Sequence, residues 1–424
     1  MNIFLKNVLV PAVAVCTALC LAGCDGGDES KILALETDAP AQWNAIVIQA
    51  IATAGAPPIP TSRIAAMAFS AGHDALNAID PRYKAYLTEG SEPNANPDAA
   101  VAAAIFTVMK TKLPDQGSYL DGQYAIALAK ITEGQPKTTG IALGQRTAQA
   151  ILAARANDGA GPPDQPPYVF TPGPGVYEPT PPINQAFFVG WGAVKPFALT
   201  QASQFRAAPP NPVLSTAYVK DYNETRDFGG ATSTVRSGEQ AQIAKFWLQD
   251  THMSWNRIAA QVAKAKGMNG WDQMRLFTLM QLAQADIYIS MEEAKYLYRS
   301  WRPITAIRKG DLDGNADTLG DAIWTPFDPV TPPDPEYPSG HAMSGGAGEA
   351  VMQAVFGGDS AAFTETSATL PNVTRSYASF SQAGAEMGLS RIYVGYHFRN
   401  SVEQGRKQGQ QIGAWAAAQK LGKR

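Results

Sequence analysis

The sequence predicts an all-α fold, two helical bundles joined by a proline-rich loop. Three observations carry that reading. Apolar residues recur at three- and four-residue spacing through two long stretches, about 40–160 and 214–424. Strand signals are nearly absent. Between the stretches, residues 162–182 hold nine prolines, and proline lacks the amide donor that a helix or strand requires.

The elements follow in order. Helical periodicity covers 42–54, 60–79, 99–112 and 140–155 in the first half. The proline-rich connection is expected over 161–213, with aromatic anchors at Phe187, Phe188 and Trp191. Helices then resume at 215–226, 238–250, 256–266, 270–302, 340–356, 377–389 and 402–421. The stretch 270–302 is read as one unbroken helix. The chain of 424 residues is long enough for one large core or two smaller ones.

Composition narrows function. The apolar fraction is 45% and the charged fraction 17%, as in ordinary globular proteins. A net charge of −3 gives no bulk attraction for nucleic acid. An anion site must therefore come from local clustering.

The first residues read as a targeting segment. Lys6 is the only charge before Asp25, an apolar run covers 7–21, and small residues follow. The ending Leu21-Ala22-Gly23-Cys24 resembles the lipobox of bacterial lipoproteins, in which Cys24 would be lipidated and become the first residue. The alternative is a plain secretory signal. Residues 1–23 are then the signal and 24–39 a polar tether. Cys16 and Cys20 leave with the signal, so no disulfide, cysteine metal site or thiol nucleophile is expected. No later window has the roughly 20 apolar residues that span a bilayer. The expectation is an exported domain tethered to a bacterial membrane by lipid alone, facing periplasm or exterior. Oligomeric state is not legible.

Three segments carry candidate chemistry. In Lys295-Tyr-Leu-Tyr-Arg-Ser-Trp-Arg302-Pro303 two cations lie seven residues apart, two turns of a continuous helix, and so on one face. Read alone, they are more simply a solvated stripe. In Tyr337-Pro338-Ser339-Gly340-His341, Ser339 is a plausible N-cap, the first-turn amides favour an anion, and Gly340 lets backbone approach a ligand. In Ser390-Arg391-Ile-Tyr-Val-Gly-Tyr-His397, a continuous helix would separate Arg391 from His397. The aromatic and β-branched run with Gly395 argues for a bend that reunites them.

Together, Lys-x6-Arg-Pro, Pro-Ser-Gly-His and Ser-Arg-x5-His resemble the signature shared by type-2 phosphatidic acid phosphatases, bacterial class A acid phosphatases and vanadium-dependent haloperoxidases. The resemblance covers about 295–397. A weaker likeness to the chloroperoxidase-like bacterial branch runs from Ser62 to Ile79. It implies that Lys295, Arg302 and Arg391 neutralise a tetrahedral oxyanion, with Ser339 and Gly340 donating to it. His397 would be the axial ligand of vanadium, or the nucleophile toward phosphorus. His341 would be the general acid and base. Phe246-Trp247-Leu-Gln-Asp250 resembles a segment whose Asp orients a site arginine. The implied cofactor is vanadate, with hydrogen peroxide and a halide as reactants, bromide or iodide rather than chloride. If the chain is instead an acid phosphatase, it needs no cofactor and takes a phosphomonoester. A non-catalytic oxyanion-binding lipoprotein is the third reading.

Three departures stand out. The fungal chloroperoxidase type has aromatics where this chain has Glu292 and Asp334; carboxylates there repel a halide unless protonated or turned away. Many members have an Asp four residues after the second histidine; here Ser401 stands there, so Glu403 or a carbonyl is expected to orient His397. Elsewhere, Asp311-Leu-Asp313-Gly-Asn315-Ala-Asp317 lacks the glycine and glutamate of a calcium loop and reads as a structural turn. His73 beside Asp74 reads as packing, and His252 has no assigned role.

Overall fold

The computed structural model describes residues 34, 35, 37–161 and 166–424. The proposed signal and Cys24 lie outside them. Among the described residues the fold is helical, as expected, and no helix is long and apolar enough to cross a membrane.

Five helices form the first half: α1 (Ala39–Ala54), α2 (Pro58–Ile79), α3 (Pro97–Lys112), α4 (Gly117–Ala129) and α5 (Gln135–Ala154). Local chemistry starts and stops them. Asn96 caps α3 through its side chain to the Ala99 amide at 2.9 Å, Pro97 opens the helix, and Lys110 and Lys112 sit in its last turn. Alanine and glycine let α3 and α5 touch closely. A Cβ on Gly140 would crowd that of Ala99 at 3.0 Å. Helix α4 escaped the periodicity reading, and only Leu120 of it is fully buried.

After the proline-rich connection come α6 (Thr216–Gly229), α7 (Gly238–Phe246), α8 (Thr251–Ala265), α9 (Gly270–Tyr298), α10 (Pro303–Arg308), α11 (Gly340–Phe356), α12 (Phe380–Tyr393) and α13 (Arg399–Gln419). Helix α9 is buried on nearly every face, so it is a core element rather than an amphipathic surface helix. One apolar cluster joins Trp43, Phe69 and Ile105 of the first half to Phe277 and Met280 of α9. It continues to Val351 of α11 and Ile412 of α13. The two helical halves thus share a continuous core around α9.

A hairpin, β1 (Ser360–Thr366) and β2 (Thr374–Ser379), was not expected. Its pairs include Phe363 opposite Tyr377, with Tyr377 also near Trp247. The helix expected from 377 begins at Phe380 instead, capped by the Ser379 hydroxyl, which accepts from Gln382 N at 3.1 Å. Six residues of alternating burial are too short a signal to outweigh the helical pattern that follows.

The expected helix 270–302 is also shorter. Helix α9 stops at Tyr298, and Arg299 takes the left-handed conformation with φ 51°. The proline-rich connection holds the reversal: Tyr177 N donates to Arg299 O at 2.6 Å and Trp301 N to Gly175 O at 3.0 Å. Lys295 and Arg302 therefore do not share a helix face. Arg302 is the residue before α10, opened by Pro303.

Candidate oxyanion site

The site sits where the end of α9 and the starts of α10, α11 and α13 meet. Helices α11 and α13 cross closely because glycines line the contact. Gly405 packs on the Ser339 carbonyl, and Ser339 N donates to Ser401 O at 3.2 Å. The Ser-Gly-His motif is thereby held beside the loop carrying His397. That loop folds back tightly: Tyr396 N and His397 N both donate to Arg391 O, at 3.0 and 3.2 Å. Gly395, with φ 85° and packed on Gly229, makes the reversal possible. The expected bend is what returns His397 to the side of Arg391.

Lys295, Arg302 and Arg391 are 1%, 1% and 2% exposed, so each needs partners. Lys295 Nζ donates to Asp334 Oδ1 at 3.0 Å, to the Pro335 carbonyl, and to Glu336 O at 3.4 Å. Arg302 Nε donates to Asp334 O at 2.8 Å, Nη2 to Asp334 Oδ1, and Nη1 to Tyr396 O at 3.1 Å. Arg391 donates from Nε to Ser390 Oγ at 2.9 Å and from Nη2 to Trp247 O at 2.6 Å. Burial lowers Arg391 to about 10 and also lowers Lys295.

The tautomer of His397 follows from its neighbours. Arg302 Nη1 lies 3.0 Å from His397 Nε2, and a guanidinium only donates, so Nε2 is the acceptor. Nδ1 then carries the proton and donates to Glu336 Oε1 at 3.0 Å, with Ser401 Oγ at 3.3 Å. Phe398 N donates to the same Glu336 oxygen at 3.0 Å. Burial, then the charges of Arg302 and Lys295, hold His397 well below its usual pKa and keep it neutral. The nitrogen facing the cations is thus an unprotonated lone pair.

Glu336 is the residue that sequence reasoning missed. Glu403, the expected substitute, is surface-exposed and pairs with Arg399 at 3.8 Å. Glu336 reaches His397 from the loop between α10 and α11, 61 residues earlier in the chain, so no helical spacing announces it. Burial raises it to about 7, opposed by the Phe398 amide and Arg302.

Two polar atoms expected to serve an anion have no partner among the described residues. Ser339 caps α11 by position, yet its Oγ makes no cap bond and is buried. His341 Nε2 is likewise buried and alone. Burial, then Arg391, hold His341 well below its usual pKa, while the carbonyls of Gln249 and Trp247 act the other way. Met343 N is the first amide of α11 bonded back to Ser339 O, at 3.0 Å, which leaves the Gly340 amide at the helix mouth. Unpartnered hydroxyl and imidazole, a helix N-terminus and buried cations fit a tetrahedral oxyanion. An unprotonated Nε2 beside them fits a metal ligand. Lys295, Arg302, Ser339, Gly340, His341, Arg391 and His397 thus converge.

Asp250 does not join them. It has no hydrogen bond to Arg391, whose Nη2 takes the Trp247 carbonyl instead; burial raises Asp250 to about 6. His73 packs against Lys84 O at 3.2 Å, and Asp74 accepts from the amides of Tyr86, Leu87 and Thr88. The 311–317 segment closes on itself, Asp313 accepting from Asn315 N and Thr318 Oγ1, as a structural turn does.

Comparisons with known proteins agree with this geometry. Residues 275–422 match the family model described as "VCPO second helical-bundle domain". Vanadium chloroperoxidase of Curvularia inaequalis is 29% identical over 180 residues, covering 35% of this chain and 29% of that protein. The match thus spans less than a third of that relative's length. The crystal structure of the first bacterial vanadium-dependent iodoperoxidase superposes with TM-score 0.77 at 27% identity, over 91% of this chain and 96% of that one. A holo-type bacterial vanadium-dependent chloroperoxidase shares the fold at TM-score 0.67 and 18% identity, over 92% and 93% of the two chains. The motif residues lie inside the matched bundle, and over almost the whole chain the protein is similar in fold to these vanadium-dependent haloperoxidases.

Proposed function

We propose that the protein is a vanadium-dependent haloperoxidase that oxidises bromide or iodide with hydrogen peroxide. The observation that carries this reading is His397. Its Nδ1 is fixed by Glu336, its Nε2 lone pair faces Arg302, and burial keeps it neutral. Those are the properties of a side chain that would hold vanadate. Vanadate, when bound, supplies the Lewis-acidic centre that activates peroxide toward halide.

The chain's own groups have separate tasks. Arg302 and Arg391 balance the negative charge of the oxyanion, with Lys295 behind them. The Ser339 hydroxyl and Gly340 amide donate to its oxygens. His341, neutral and with Nε2 unpartnered, would accept a proton from peroxide and hold it at Nε2. Likeness to an iodoperoxidase over 96% of that chain favours the softer, more easily oxidised halides. Export and lipid attachment at Cys24 complete the proposal, as does the division into 40–160, 161–213 and 214–424.

One observation favours a second reading. Glu292 and Asp334 put carboxyl groups where the fungal type has aromatics, which disfavours a free halide. A phosphomonoester avoids that cost. His397 Nε2 would attack phosphorus, the ester oxygen would leave with a proton that the monoester monoanion brings and His341 Nε2 relays, and water would release phosphate from His397.

The test loads purified protein with orthovanadate and removes the excess. Bound vanadium and peroxide-dependent bromination or iodination of a dye are then measured beside His397→Ala. Near-stoichiometric vanadium and halogenation, both lost in the variant, are expected. Phosphomonoester hydrolysis by untreated protein, inhibited by vanadate and without halogenation, would transfer the assignment to the phosphatase.

A further inference from the structure

The oxyanion site contains a carboxylate whose position has consequences for which anion enters. Asp334 lies five residues before Ser339 and is 7% exposed. Its Oδ1 bridges Lys295 and Arg302. The segment cannot simply withdraw. Lys295 also donates to the carbonyls of Pro335 and Glu336, and Arg302 Nε to that of Asp334 itself. Removing Asp334 would leave two buried cations short of acceptors. An anion therefore docks beside Asp334 rather than in its place, using the Ser339 hydroxyl, the Gly340 amide, His341 and Arg391.

We infer that Asp334 makes this site selective for tetrahedral oxyanions that carry a proton, such as phosphate or vanadate near neutral pH, and against aprotic ones such as sulfate. The inference rests on the oxyanion reading of the site and adds the discriminating residue.

Two arguments carry it. The first is hydrogen bonding. A carboxylate paired with two cations only accepts. Dihydrogen vanadate and the phosphate ions present near pH 7 have an O–H to offer it. Sulfate has the same shape and nearly the same size but no proton, so it would bring oxygen lone pairs against Asp334. The second is charge. Asp334 cancels one of the three positive charges of Lys295, Arg302 and Arg391, which weakens the attraction for a dianion such as sulfate more than for a monoanion. Glu292 adds no charge, because burial and the neighbouring Asp334 hold its carboxyl protonated. A site built around a fixed acceptor rejects an isosteric anion through repulsion rather than size.

Calorimetric titration of purified protein with inorganic phosphate, orthovanadate and sulfate at pH 7 tests this. Wild type is expected to bind phosphate and vanadate about 100-fold or more tightly than sulfate. In Asp334→Asn an amide that donates replaces the acceptor, and sulfate affinity should rise about 10-fold or more, narrowing the ratio. Equal wild-type affinities for sulfate and phosphate, or an unchanged ratio in the variant, would overturn the inference. Should Asp334→Asn fail to fold, Asp334→Ala is read the same way after its melting curve confirms a folded chain. Absence of both phosphate and vanadate binding by wild type would instead sink the reading of the site itself.

Discussion

The middle and the carboxyl end of α9 both bury charge, and they differ in what satisfies it. Asp286, in the middle, accepts from three successive amides, Phe197, Ala198 and Leu199, at 2.6–2.7 Å. It pins the end of the proline-rich connection to the core. Six residues on, Glu292 is fully buried, its protonated carboxyl beside Asp334, and Lys295 leans on the Asp334 loop. In the site that Lys295 borders, two buried polar atoms stay unmatched, Ser339 Oγ and His341 Nε2. The fully satisfied Asp286 is a structural clamp, while unsatisfied groups set beside buried cations mark a place prepared for a ligand.

Mutations at the two places should separate stability from binding. The largest effect on stability is expected at Asp286→Ala, which strands three buried amides; a loss of about 3–5 kcal/mol should appear in denaturant unfolding. Vanadate affinity of the folded fraction should stay within about threefold. If affinity falls as steeply as stability, the two ends of α9 are not independent. The converse is expected at Glu336→Gln. It keeps the size of the side chain and loses the charged acceptor for His397 Nδ1. Vanadate affinity should fall about 10- to 100-fold, as for the outer partner of a metal-ligating histidine, with little change in the melting midpoint. Undiminished affinity would show that Ser401 alone orients His397.

The same contrast explains what the sequence revealed. The helices were legible because long apolar periodicities are local signals. The seven converging residues were legible through motif order, and Gly395 foretold the bend that returns His397. Arg302 was placed on the wrong element because the stop at Arg299 depends on hydrogen bonds from a segment more than 120 residues away, at Gly175 and Tyr177. Glu336 was missed for a similar reason. Its role is a tertiary contact, and Glu403 was the candidate that helical spacing offered. The β1–β2 hairpin was overlooked because its burial pattern is short and adjoins a strong helix.

The smallest expected effect concerns histidine, where the comparison reaches His252. This ring lies in the structural part of the core, with Nε2 3.3 Å from Thr61 Oγ1 and its carbonyl accepting from Gln281 Nε2 at 3.1 Å. Burial lowers it from 6.5 to about 3. The folded chain therefore keeps His252 neutral through mild acid, while the unfolded chain takes up a proton below 6.5. Stability contributed by neutral His252 is complete above that value and is lost as pH falls toward 3. Between pH 7 and pH 6 the loss is only about 0.7 kcal/mol. Buried carboxyls such as Glu365, raised to about 7, act in the opposite direction over the same interval, so the wild-type curve alone does not isolate it. The difference between wild type and His252→Gln does. That difference should shrink by about 0.7 kcal/mol from pH 7 to pH 6 in urea unfolding, with vanadate affinity unaltered. A pH-independent difference would mean that His252 is already protonated in the folded core, and its surroundings would then belong with the charged end of α9 rather than with its structural middle.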